Sequence, residues 1–183
     1  MNTAMRKACL AGPDRIESEL PMDTISNYFN AERAESLLFI AVGAIALAAS
    51  AWCLFVVRKP FFTGLAVTVS IVAVLQLVVG VTVYLRTPSD VARVQQMARE
   101  APARLQSEEV PRMQLVMRNF KLYLSVEVLL LIASIAVLAL ATQAAVWRGA
   151  ATGLAIQAVF TIVLDLAATR RGAAYLEWLL AAR

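Results

Sequence analysis

Two carboxylates lie inside long apolar segments of the chain, where an ionised side chain is costly. Glu127 belongs to the segment 122–145, and Asp165 belongs to the segment 149–168. A charged group at mid-bilayer costs about 2.5–3.5 kcal/mol on insertion scales, so intramembrane carboxylates are by default candidates for ion or proton sites. We predict that Glu127 and Asp165 form such a site, with Glu32 or Glu35 nearby. The alternative is a structural role, in which they pair with Arg118, Lys121, Arg170 or Asn119, or lie shallow enough to reach water at the headgroups.

Small and polar residues recur at four-residue steps in two of the apolar segments. The segment 149–168 carries Gly149, Gly153, Gln157, Thr161 and Asp165 at this spacing, and the segment 61–85 carries Gly64, Thr68, Gln76 and Gly80. Residues four apart share one face of a helix. The ordinary interpretation is close helix packing with hydrogen bonds across the interface. The same faces could line a polar path, and we predict that Gln76, Gln157 and Thr161 line it together with the two carboxylates.

Four apolar segments carry these residues, and each is long enough to cross a lipid bilayer. They are 37–57, 61–85, 122–145 and 149–168. The second has no charged residue, and at about 1.5 Å per residue it exceeds the roughly 30 Å hydrocarbon core. Charged residues make up only 16% of the chain, against about 25% in soluble domains. We predict an all-α integral membrane protein with four transmembrane helices, arranged as the antiparallel hairpins 37–85 and 122–168.

The distribution of basic residues predicts the orientation of these helices. Lysine and arginine number 4 in the tail 1–36, 7 in the loop 86–121 and 3 in the tail 169–183, whereas the two short turns together hold 3. Cytoplasmic loops carry the excess of lysine and arginine in membrane proteins. Both termini and the long loop are therefore predicted to be cytoplasmic. The excess of arginine over lysine and the many alanines favour a bacterial inner membrane.

The long loop 86–121 is predicted to form a cytoplasmic helical hairpin. Thr87 and Pro88 resemble the N-cap and first residue of a helix. A second helix begins near Ser107 and continues into the third apolar segment, because apolar residues alternate in steps of three and four through both. This apolar seam on the cytoplasmic part is formed by Met113, Met117 and Phe120. It predicts an interaction face for the preceding helix, a partner protein or a second copy.

The two tails are predicted to contain short amphipathic helices at the lipid headgroups. Tyr28 and Phe29 would lie there in the tail 1–36, and Tyr175 would lie there in the tail 169–183. Tyrosine and other aromatic rings are enriched at this depth.

The arginines of the long loop have two interpretations. They alternate with glutamates, so we predict no binding to nucleic acid. The favoured interpretation is that they fix the topology of a solvated segment. The alternative is that they bind anionic lipid headgroups. The arginines concerned are Arg93, Arg99, Arg104, Arg112 and Arg118.

Several kinds of chemistry lack the residues that they need. The chain has no histidine, which excludes imidazole ligation of metal or haem. Cys9 and Cys53 are far apart and form no CxxC motif, so no zinc or disulfide site is indicated. No nucleophile motif or phosphate-binding loop is present. We therefore predict a non-enzymatic protein without metal or cofactor.

The function that these features favour is an oligomeric channel or transporter for a small ion. Four helices are too few to enclose a wide path, so the prediction includes a homo-oligomer. The alternative is a membrane-anchored structural subunit whose cytoplasmic hairpin docks a partner protein. A third alternative is a lipid-binding membrane protein.

Overall fold

The structure is a computed structural model that describes residues 13–140 and 143–181, with side chains from Met22 onward except Pro102. These residues form four long helices: α1 (Pro13–Trp52), α2 (Pro60–Glu100), α3 (Val110–Leu140) and α4 (Ala145–Ala181). α1 ends in a π-helical turn, Cys53–Val57, and α3 follows the helical turns Pro102–Arg104 and Leu105–Glu109. All four helices are long and apolar enough to cross a membrane by length and composition. The predicted all-helical chain with four long apolar helices is confirmed.

α1 and α2 are joined by two residues and pack along each other. Arg58 adopts a left-handed conformation with φ of 51°, and its backbone N–H donates to the Cys53 carbonyl, which ends the first helix. Lys59 is extended ahead of Pro60, which begins the second helix. Gly43 of α1 lies against Ala73 of α2, whereas Gly80 lies against Ser36. Later residues of α1 contact earlier residues of α2, so the two helices are antiparallel.

α4 packs between α2 and α3, and its closest contact with α2 is at two glycines. A Cβ atom on Gly64 would overlap the carbonyl oxygen of Val146, and one on Gly149 would overlap that of Phe61. Gly153 continues this contact against Leu65. The two backbones touch here, which only glycine permits. The four-residue stripes are therefore packing faces over this part of their length.

The predicted helix start at Thr87 and Pro88 is wrong. α2 runs without interruption to Glu100 with Pro88 inside it. The Thr87 hydroxyl donates to the Val83 carbonyl, as in a helix interior. α2 contacts α1 on both sides of the proline, through Arg86 with Glu32 and Gln95 with Ser26. The chain turns at residues 101–109 instead.

The two tails are not separate helices. Residues 22–36 are the first part of α1, and residues 169–181 are the last part of α4. Phe29 is fully buried, and the Tyr28 ring stacks on Tyr175 with centroids 4.3 Å apart. Packing of these aromatic rings on one another removes their apolar surface from water, and the depth of the tails in a membrane stays a prediction. Residues 1–12, 141–142 and 182–183 lie outside the described part of the chain.

The polar ends of all four helices share one core, which we call the tip core. Its members are Ile25, Phe29, Val94, Met97, Leu105, Val110, Met113, Tyr175 and Leu179. The segment 86–121 is thus not an independent hairpin, because α1 and α4 contribute nearly half of the core that its helices need. The helix bundle continues past its apolar part.

Candidate functional site

Asp165 of α4 interacts electrostatically with a carboxylate from each of two other helices, and we call the three residues the carboxylate cluster: Glu35, Glu127 and Asp165. Glu127 of α3 and Asp165 of α4 are close enough to repel each other electrostatically. Glu35 of α1 also interacts with Asp165. The structure therefore brings together the two carboxylates that the sequence singled out. Of the two glutamates expected nearby, Glu35 is the one that interacts with Asp165, and its position depends on how α1 packs against α4.

Two basic residues near the cluster form ion pairs with glutamates of α1. Arg171 forms an ion pair with Glu35, and Arg86 lies 3.2 Å from Glu32. Among ion pairs between described residues, none involves Glu127 or Asp165. The expected alternative, in which Arg118, Lys121 or Arg170 neutralises these two carboxylates, is not what the structure has. Neither Glu127 nor Asp165 has a cationic partner among the described residues.

Oxygen atoms surround the uncompensated pair. The Thr161 hydroxyl lies within hydrogen-bonding reach of Glu127. The same hydroxyl donates to the carbonyls of Gln157 and Ala158, at 3.1 and 3.2 Å. A hydroxyl has one proton to donate, so the carboxylate competes with two backbone carbonyls for it. One Glu127 oxygen, Oε2, is buried without a hydrogen-bond partner among the described residues. This set of acceptors suits a proton or a small cation.

Gln76 and Gln157 form a direct contact between α2 and α4, about one turn from Thr161. The Gln76 amide donates to Oε1 of Gln157 at 3.3 Å, and both side chains are buried. The glycine contact of the same helices lies beyond them. Within one chain these two glutamines therefore hold helices together and line no open path, because the helices approach too closely to leave one.

Glu109 is a further carboxylate, fully buried, that the sequence did not identify as a site residue. It is 0% exposed, and Arg112 donates to it at 2.8 Å. Arg93 lies 3.8 Å away, and the Tyr175 hydroxyl donates to it at 3.5 Å. Burial raises the pKa of the Tyr175 hydroxyl, and the nearby Glu109 charge raises it further. The local sign of this site in the sequence was Arg112, three residues after Glu109. Tyr175 could not be linked to it, because it lies near the other end of the chain.

The apolar seam contacts the chain's own helices. Met113 is fully buried in the tip core, and the Met117 sulfur packs against Gly172 of α4. Phe120 is half-buried. A partner protein cannot reach Met113 in this arrangement, so the seam serves first to fix α3 on α4.

No protein-family model, curated protein or solved structure matches this chain. Among the described residues, no group of three histidine, cysteine, aspartate or glutamate side chains could hold a metal ion. Arguments about function therefore depend on the carboxylate cluster and its surroundings.

Proposed function

We propose that this chain is a four-span protein of a bacterial inner membrane that moves a small cation, most simply a proton, through Glu127 and Asp165. The observation that carries the proposal is the pairing of these two carboxylates, on neighbouring helices, without a basic partner. Both termini and the tip core lie in the cytoplasm in this arrangement. The carboxylate pair then lies in the inner leaflet.

The outward surface of the helices supports membrane placement. Large apolar side chains cover it over the length of the four segments, with Ile71, Leu75 and Leu129 each at least 60% exposed. A soluble protein rarely leaves so much continuous apolar surface in water. Trp52 and Trp147 are exposed at the end opposite the tip core, the position of an aromatic belt at a membrane surface.

The electrostatics favour a cation over an anion or a neutral solute. Two carboxylates close together in an environment of low polarity repel each other, and protonation or cation binding relieves that repulsion. The Thr161 hydroxyl and the unpartnered Glu127 oxygen supply further acceptors. An anion would meet only repulsion at this site.

A path through the membrane requires more than one copy of the chain. The glycine contact and the glutamine contact of α2 and α4 close the far half of a single bundle. We propose that copies assemble so that the path continues between them. Mass measurement of the protein in nanodiscs tests this: an oligomer with the α3–α4 faces towards its axis supports the path, and a monomer contradicts it.

Cation flux into proteoliposomes tests the proposed function. A trapped pH dye reports proton entry under an imposed potential, and flux dyes for sodium and potassium test the alternative cations. The variants Glu127→Gln and Asp165→Asn are expected to lose most of the flux. Glu108→Gln is the matched control, since Glu108 is exposed and distant from the cluster. Equal flux in all three variants and the native protein would overturn the proposal.

A further inference from the structure

The face of α3 opposite the seam combines two free cations with an apolar ridge. Arg118, Leu122, Leu129 and Ile132 follow one another at steps of three, four or seven residues, so they share one side of the helix. The three apolar residues are 60%, 65% and 57% exposed. Lys121 lies one turn from Arg118 on the same side. Both cations are exposed, and neither forms an ion pair with a described residue.

Two other basic residues near this level of the bundle have carboxylate partners. Arg86 pairs with Glu32, and Arg171 pairs with Glu35. Met117 lies against Gly172, which places Arg118 at about the level of Arg171. The apolar ridge begins here. Arg118 and Lys121 therefore lie where the polar end of the bundle meets its apolar part, without an ion-pair partner among the described residues.

We propose that this face binds an anionic phospholipid. Its phosphate would lie between Arg118 and Lys121, and an acyl chain would follow Leu122, Leu129 and Ile132 into the bilayer. The planar guanidinium of Arg118 can donate two parallel hydrogen bonds to a phosphate. The ridge distinguishes a lipid from free phosphate, because free phosphate has nothing to place on it. The inference rests on the membrane placement proposed above and is independent of cation movement.

Native mass spectrometry of the full chain in detergent tests this site. Phosphatidylglycerol and phosphatidylcholine with the same acyl chains are added, and the lipids that stay bound are counted. The native protein is expected to retain phosphatidylglycerol in preference. A basic residue near a membrane contributes about 1 kcal/mol to anionic lipid binding. Arg118→Gln and Lys121→Gln should therefore each weaken retention roughly fivefold, and the double variant about 25-fold.

Arg99→Gln is the matched control, because Arg99 is exposed and lies in the tip region away from the ridge. It removes the same charge and should leave retention unchanged. Equal retention of the two lipids by the native protein, or an equal loss in Arg99→Gln and Arg118→Gln, would overturn the site. Displacement of the lipid by inorganic phosphate alone would also overturn it, since the ridge would then contribute nothing. Retention that persists while cation flux is absent would support this site and reject only the proposed transport.

Discussion

Glu109 and Glu127 are eighteen residues apart on one side of the chain's third long helical segment, yet they have opposite surroundings. Glu109 is fully buried, with Arg112 donating to it and Arg93 and the Tyr175 hydroxyl close by. Glu127 is half-buried, has no basic partner among the described residues, and lies next to a second carboxylate. The same side chain has basic partners in one region and a second carboxylate as its neighbour in the other.

This difference separates a structural role from a functional one. A buried carboxylate with two arginines and a tyrosine satisfies nearly all of its acceptor capacity, and it leaves no position for a ligand. Two carboxylates without a cation destabilise the fold unless something binds them. A chain that keeps such a pair at the centre of its bundle gains no stability from it. The tip core therefore fixes the helices, and the carboxylate cluster is the place to look for activity.

Removing the Glu109 charge should have the largest effect on folding. Glu109→Gln leaves the partly buried Arg112 without its counter-charge, and breaking a buried ion pair costs about 3–5 kcal/mol. The neighbouring variant Glu108→Gln is the control: its pair with Arg104 is exposed on both sides and contributes less than about 1 kcal/mol. Unfolding in mixed detergent micelles measures both. Similar free energies of unfolding for the two variants would show that Glu109 stabilises the fold no more than the exposed Glu108 does.

The glycine contact tests how strictly α4 is fixed, and hence where it places Asp165. Gly149→Ala puts a methyl group onto the Phe61 carbonyl, and overpacking of this kind costs about 1–3 kcal/mol. Gly43→Ala is the control, because its added methyl would approach the Ala73 carbonyl and the Leu77 side chain to 3.1 Å, which is tight but does not overlap. We expect Gly43→Ala to lower the free energy of unfolding less than Gly149→Ala does in the same measurement. An equal loss of stability in both variants would show that the contact of α4 with α2 at Gly149 is not unusually close.

Removing Arg171 should lower the free energy of unfolding, measured in mixed detergent micelles. Arg171→Gln leaves Glu35 beside Asp165 without its cation, and a lost hydrogen bond to a charged group costs about 1.5–3 kcal/mol, less at this partly exposed site. The second substitution Glu35→Gln should restore most of the loss, since it removes the uncompensated charge. Arg170→Gln controls for a change in net charge. Failure of the double variant to recover would show that Arg171 does not act through Glu35.

The tyrosines of the tip core should give the smallest effect, and only at high pH. Burial raises the pKa of Tyr28 and of Tyr175 above the ordinary value of 10.0. Above pH 10 the unfolded chain loses these protons while the folded chain keeps them, so the unfolded state binds fewer protons and stability falls as pH rises. Absorbance titration of phenolate checks this. Phe substitution at both positions should remove the late-titrating fraction, and an unchanged titration curve would contradict it.

The sequence was sufficient for the parts of the fold that hydrophobicity alone decides. Long uncharged segments predicted the four helices, because length and composition determine whether a helix can cross a membrane. A similar depth for Glu127 and Asp165 could be predicted as well, since both lie near the same end of neighbouring segments. Their interaction with each other could not be predicted, and neither could the choice of Glu35 over Glu32, because both depend on how the helices pack across the bundle.

The tip core could not be predicted because its partners are distant in sequence. Tyr175 and Glu109 are 66 residues apart, and no local pattern links them. Thr87 and Pro88 have the residue types of a helix start, yet contacts between α1 and α2 on both sides of the proline outweigh that local preference. Taken alone, the aromatic residues of the tails have the residue types of a lipid interface. The sequence does not show that they stack on each other.

The most direct test is the double variant Glu127→Gln/Asp165→Asn, with unfolding and cation flux measured on the same preparation. We expect a free energy of unfolding at least equal to that of the native protein, because two carboxylates that repel each other are gone, together with loss of flux. A stability loss as large as that of Glu109→Gln, with flux intact, would contradict it. The pair would then be a structural element like Glu109.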